Sequence, residues 1–124
     1  MKCGLGLAAL LVAAPLNAAS PMSVATFVVK AKALERKGPM ALLSSDLKLL
    51  TNQVKGDFTQ IRTERLAARA AGKPTAFCPP EGGTKLNNRD IMGAMEAIPA
   101  TERARTDTRT ALRAFLVRRH PCAK

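Results

Sequence analysis

Hydrophobic positions along this chain recur every three or four residues almost from end to end, the period of helices that each bury one face. After an opening apolar run, Val24, Phe27, Val28, Ala31 and Leu34 follow those steps. They predict a first helix over residues 22–36, capped by Ser20 or Ser23. Gly38-Pro39 stops it, because glycine closes a helix end and proline cannot continue the hydrogen-bond ladder. The longest stripe follows within residues 40–71: Leu43, Leu47, Leu50, Val54, Phe58 and Ile61. Asn52 and Gly56 weaken its middle, so the segment reads as one long helix or as two with a kink near Gly56. Ser45 and Asp46 are placed to cap a restart. Residues 72–88, GKPTAFCPPEGGTKLNN, carry too many Pro, Gly and Asn for regular structure and read as a loop. A short helix from an Asn88 cap to Ile98 turns Ile91, Met92, Met95 and Ile98 inward before Pro99 breaks it. Residues 101–105 read as a turn of helix. A last helix runs from a Thr106 or Asp107 cap to Arg119 and buries Ala111, Leu112, Phe115 and Leu116. Strand signals are poor. The fold class this pattern predicts is all-α, a small compact bundle of four to five helices.

The opening run changes the boundaries of that domain. Lys2 precedes an apolar stretch at residues 5–16, and small residues follow at Ala18 and Ala19. That order is a secretory signal, too short to span a bilayer, with cleavage after Ala18 or Ala19. The expectation is a removed segment at residues 1–19 and a helical domain at 20–124, periplasmic or secreted. No other apolar stretch approaches the roughly 20 residues of a membrane span. Cys3 leaves with the signal, so three cysteines become two, Cys78 and Cys122. In an oxidising compartment an even count implies pairing, and two cysteines admit one intramolecular bond. The alternatives are two free thiols or a bridge between chains.

Charge narrows the partners. The chain holds 20 Lys and Arg against 9 Asp and Glu, a formal net charge of +11. Nucleic acid, anionic envelope polymers or lipids, and an acidic protein all suit such a charge. Nucleic acid fits poorly, since there is no Trp or Tyr and the four Phe are spaced as core residues, leaving no stacking platform. Chemistry of the residues points away from catalysis. The one histidine, His120, neighbours Cys122, whose thiol the disulfide would consume, and no orienting third residue is evident. One His and two distant Cys supply no metal site, the acids are scattered singly, and the Glu81-Gly82-Gly83 turn follows no strand and so is no phosphate cradle. Neither metal nor cofactor is expected, nor enzymatic activity. The candidate contact residues are surface ones: Arg62, Arg65 and Arg69, at three- and four-residue steps, and Ser44, Ser45, Asp46 and Lys48.

Three segments carry a resemblance: AGKPTAFCPPEGG, a short helix ending IPATER, and a final helix ending VRRHPC. Over residues 70–122 the chain resembles the Tai-type immunity proteins, periplasmic proteins that neutralise peptidoglycan-amidase toxins delivered by type VI secretion. The elements concerned are Phe77-Cys78-Pro79-Pro80, Ile98-Pro99 and His120-Pro121-Cys122. The resemblance implies an all-helical domain, structural roles for Cys78 and Cys122, a toxin as partner and a homodimer. It assigns no contact residue. The basic charge would suit an acidic surface on that toxin.

Overall fold

The computed structural model describes residues 21–123, so the expected signal segment and the Ser20 cap lie outside the described residues. Four α-helices follow in order: α1 at Val24–Lys37, α2 at Ser45–Ala70, α3 at Asn88–Glu96 and α4 at Thr108–Arg119. Short 3-10 turns occupy Gly38–Leu43 and Arg103–Arg105. No strand occurs among the described residues, and Cys78 is bonded to Cys122, so the domain is all-α with one disulfide. No described helix is long and apolar enough to cross a membrane.

Capping sets the boundaries. The Ser23 hydroxyl accepts the Thr26 amide hydrogen at 3.1 Å, which starts α1 at Val24 rather than at Met22. The backbone just before it is committed elsewhere: Val24 N–H donates to the Thr106 carbonyl at 2.8 Å, and Thr108 N–H donates to the Met22 carbonyl at 2.9 Å. The entries to α1 and α4 are thereby stitched together as an antiparallel bridge between Ser23 and Asp107. Asp107 in turn caps α4 through the Thr110 amide at 2.7 Å. The cap of α3 is Asn87 rather than Asn88, because Asn87 and Asp90 exchange side-chain-to-amide bonds of 3.0 Å in a reciprocal capping box. That helix ends at Glu96, two residues short of Ile98. Arg103 reaches back over the end and donates to the carbonyls of Ile98 at 2.8 Å and Glu96 at 3.0 Å.

The central segment resolves the choice between one helix and two. α2 is a single 26-residue helix. Its cap is Ser44, not Ser45 or Asp46. Leu43 therefore precedes the helix. The extended backbone of Ser44 separates it from the stripe and leaves it 80% exposed, so its place in the predicted buried face is corrected. Gly56 costs about 1 kcal/mol against alanine without breaking the ladder, since α2 packs along both α1 and α4.

Core side chains come from every helix: Val24, Phe27 and Leu34, then Leu50 and Ile61, then Met95, then Leu112 and Leu116. Each fully buried aliphatic or aromatic side chain contributes about 1.5–3 kcal/mol by leaving water. Two polar residues sit inside the α2 stripe, Gln53 and Asp57, both buried. The Thr108 hydroxyl, also buried, donates to Asp57 Oδ2, and Gln53 Nε2 donates to Asp57 Oδ1 at 3.2 Å. Arg109 Nε lies 3.4 Å from the same oxygen as the counter-charge. This network joins α2 to the first turn of α4.

Two predictions follow from the network. Thr108→Val keeps the side-chain shape and removes the donor, and should lower stability by about 2 kcal/mol. The urea midpoint should fall with an unchanged m value. The second concerns pH. Burial pushes the Asp57 carboxyl above 3.8, outweighing the Thr108 bond, the Arg109 charge and the Gln53 bond, and nearby Asp107 pushes the same way. Between pH 3.8 and its raised folded value, folding therefore takes up a proton at Asp57, and this group's contribution to stability falls as pH rises through the folded value. Asp107 has the opposite sign. Burial alone would raise it, but the Thr110 amide and hydroxyl with the Arg109 and Arg113 charges hold it below 3.8. Its contribution is lost only as pH falls through that lowered value. Relative to Asp57→Asn, the native chain should gain stability as pH drops from neutral toward 3.8, read from urea midpoints of both proteins across that range.

Candidate functional site

α2 runs unbroken past Gly56, and its second half carries Arg62, Arg65 and Arg69 on one face. Opposite lies the loop of residues 71–87. Among the described residues it makes few backbone hydrogen bonds of its own beyond the turn that ends α2. Gly83 N–H donates to the Pro80 carbonyl at 3.1 Å, and Cys78 N–H donates out of the loop to the His120 carbonyl at 2.8 Å. Three things hold the loop instead. The Phe77 ring is buried in the core. The disulfide ties Cys78 to Cys122, with Cα atoms 4.9 Å apart. Thr84 Oγ1 meets His120 Nε2 at 2.9 Å. Gly82 and Gly83 then turn the chain at φ 88° and 85°. A Cβ on either would meet nothing within 4 Å, so it is the left-handed backbone, not space, that calls for glycine.

Between α2 and this loop runs a groove of about 900 Å³. Its apolar lining includes Phe58, Ile61, Leu66, Leu86 and Leu116, and the three arginines line it together with Pro79 and Pro80 of the loop. Arg65 is half-buried, with its guanidinium carbon 5.9 Å from the centre of the Phe77 ring, a cation–π distance. Arg62 and Arg69 are exposed. Among the described residues none of the three has an acid within ion-pair distance. Glu64, the acid between them on α2, is drawn across to Arg113 on α4 at 2.9 Å. Asp90 is held by Arg119 at 3.3 Å, and Asp57 is buried against Arg109. Like charges at three- and four-residue steps cost a helix a few tenths of a kcal/mol, and only Arg69 recovers this from the negative pole of the last turn. One acid, Glu81, also lines the groove.

The other predicted group sits elsewhere. Ser44 caps α2 by accepting the Asp46 amide hydrogen at 3.2 Å, and Asp46 pairs with Lys30 of α1 at 3.2 Å. Ser45 and Lys48 are exposed beside them. Sixteen residues of helix, about 24 Å, separate Asp46 from Arg62. The fold thus brings the arginine group to the Cys78 loop and leaves residues 44–48 at the far end of α2. A second, smaller hollow of about 480 Å³ lies between the start of α1 and Leu49 and Asn52 of α2, and no charged side chain among the described residues lines it.

The sequence pattern placed Phe77, Pro79 and Pro80 in the loop without placing them beside the arginines. A large aromatic residue inside an otherwise polar, proline-rich segment was the available signal, since such a ring needs a core to enter. Among the described residues, no group of three or more His, Cys, Asp and Glu is gathered closely enough to hold a metal ion. The sulfurs of Cys78 and Cys122 are committed to the bond, and His120 is engaged by Thr84. What the groove offers is charge-assisted hydrogen bonding beside an apolar floor.

Fold and groove together define a small, all-α, disulfide-tied domain with a basic cleft. The chain matches no protein-family model, no curated protein and no solved structure.

The disulfide closes a loop with a sequence separation of 44 residues, worth about 4 kcal/mol in the chain-entropy treatment. Cys78→Ser should therefore lower the melting temperature clearly while far-UV circular dichroism still shows a helical protein. Unchanged melting would mean that the bond adds nothing to stability.

Proposed function

We propose that this chain is a non-catalytic, exported binding protein of the immunity type, which neutralises a peptidoglycan amidase by covering its surface. The observation that carries this reading is the groove. Three arginines without acidic partners among the described residues line it beside the loop whose Phe77-Cys78-Pro79-Pro80 motif resembles the Tai-type proteins. The other segments of that resemblance are joined to the same scaffold. Cys122 is bonded to the loop, His120 is hydrogen-bonded to it twice, and the Ile98 end of the preceding helix is closed by Arg103 of the IPATER segment. An oxidising compartment, periplasmic or extracellular, is consistent with the bond. A few buried anchors would supply the affinity and the net positive charge the association rate. Formation of a homodimer belongs to the same proposal.

The test is functional. The purified protein, mixed with the amidase encoded beside its gene, should abolish hydrolysis of peptidoglycan at equimolar ratio, and its expression in the periplasm should protect cells exposed to that enzyme. Full hydrolysis in the presence of excess protein, with no protection, would sink the reading. A second reading draws on the overall charge of +11: a basic envelope protein holding an anionic polymer, lipid or acidic protein. Its signature is binding that vanishes as salt is raised, because exposed charges are screened over about 8 Å at physiological ionic strength. A packed protein interface would survive.

A further inference from the structure

Resting on the immunity reading, we propose that the groove between α2 and the disulfide-held loop takes a short extended segment of the partner protein in which acidic and apolar side chains alternate. The dimensions set the register. Arg62 and Arg69 are seven residues apart on α2, a rise of about 10 Å. An extended chain rises about 3.3 Å per residue, so about three residues of ligand lie alongside the arginine row. Successive side chains of such a strand point to opposite sides. Acidic residues two apart can face the arginine row on α2 while the residue between them faces the loop wall, where Leu86, Pro79 and Pro80 line the groove.

Four observations favour a peptide carboxylate over other anions. Guanidinium groups bind carboxylates in a planar two-point geometry, and three of them stand here with no acid within ion-pair distance among the described residues. Leu66, 43% exposed in the groove wall, is apolar surface that a phosphate or a polyanionic chain would leave wet. Arg65 is already oriented by the Phe77 ring, which lowers the entropy lost when it pairs. Glu81, the one acid of the lining, opposes a uniformly anionic ligand and suits a segment that carries its acids over a limited stretch.

The disulfide enters directly. Phe77 precedes Cys78, so the bond that fixes the loop also fixes the ring beneath Arg65. Release of the loop would remove one wall of the groove and the support of its central arginine.

A synthetic peptide, acetyl-Gly-Leu-Glu-Leu-Glu-Leu-Gly-amide, titrated into the isotopically labelled full mature chain provides the test. The expected result is saturable movement of the Arg62, Arg65 and Arg69 side-chain signals and of the Gly82 and Gly83 amides. Replacing both Glu by Gln should weaken binding by about tenfold or more. Arg62→Glu with Arg65→Glu should do the same, while the melting temperature stays near the parent's. Single Arg62→Gln, an exposed and conservative change, guards against a fold defect and should weaken binding by a smaller factor. Reduction of the disulfide should weaken binding of the same peptide. Equal affinity for the Gln peptide, shifts confined to other surfaces, or absence of saturable shifts would overturn the proposal. So would displacement of the peptide by vesicles containing phosphatidylglycerol or by polyphosphate at equal charge concentration, which would make the groove a general anion surface. These outcomes are separable from the fate of the parent reading. Amidase inhibition that persists in the Arg62→Glu, Arg65→Glu protein would remove the groove from the interface and leave the immunity function standing. Peptide binding without inhibition would do the reverse.

Discussion

The bond between Cys78 and Cys122 is the constraint on which the shape of the cleft depends. It fastens the middle of a proline- and glycine-rich loop to the chain just beyond the end of α4, within a backbone hydrogen bond of the same place, from Cys78 to His120. A segment with so few internal hydrogen bonds has little enthalpy with which to oppose its own conformational entropy. Covalent closure reduces that entropy in the unfolded chain, and the Phe77 ring adds burial in the folded one. The consequence reaches beyond stability. With the loop fixed, Phe77 sits under Arg65, and a helix face that would otherwise be open surface becomes one wall of a groove.

The face of the same helix that meets α4 is governed by a different constraint. Asp57 is buried in the middle of α2, where an unpaired carboxylate would be costly. Thr108, Gln53 and Arg109 satisfy it, and two of these belong to the first turn of α4. That requirement fixes how α4 approaches α2. The backbone bridge between Ser23 and Asp107 then carries α1 into the same arrangement. A hydrophobic contact at this position would tolerate some sliding of one helix along the other. A directional bond from Thr108 to one carboxylate oxygen tolerates much less. The helix bundle is thus held in register by one buried polar cluster, and the loop by one covalent bond.

These two constraints also explain the electrostatics. The chain is basic throughout, but its few acids are not spread evenly among its bases. Asp57 is inside, Asp107 and Asp90 are engaged in helix caps, Glu64 crosses to Arg113, and Asp46 crosses to Lys30. Surface pairs of this kind contribute little to stability, at most about 1 kcal/mol each. Their effect is on where charge is left over. Drawing Glu64 toward α4 leaves Arg62, Arg65 and Arg69 without a neutralising neighbour on the face that meets the loop.

Much of the helical plan was legible in the chain itself, because it depends on local chemistry. The three- and four-residue spacing in α1 and α4, the Gly38-Pro39 stop, the Pro99 break and a cap at Thr106 or Asp107, which the structure settles as Asp107, are set by backbone geometry within a few residues. The pairing of Cys78 with Cys122 was legible for a different reason: the expected removal of the opening segment would take Cys3 with it and leave two cysteines. What failed locally failed by a residue or two, where a neighbouring side chain competed for the same cap, as Ser44 did with Ser45 and Asn87 with Asn88. Leu43 was misplaced because periodicity alone cannot show that a helix has not yet begun. Only the tertiary structure decided the rest. Gln53 and Asp57 interrupt an apolar stripe, and nothing in their own segment shows that Thr108, 51 positions away from Asp57, will satisfy the carboxylate. Likewise the arginine spacing gave a helix face, but its meeting with Phe77, Pro79 and Pro80 across the chain required α4 to be docked and the disulfide to be closed. Local pattern fixes which residues share a helix face. Long-range burial and one cross-link decide which faces meet.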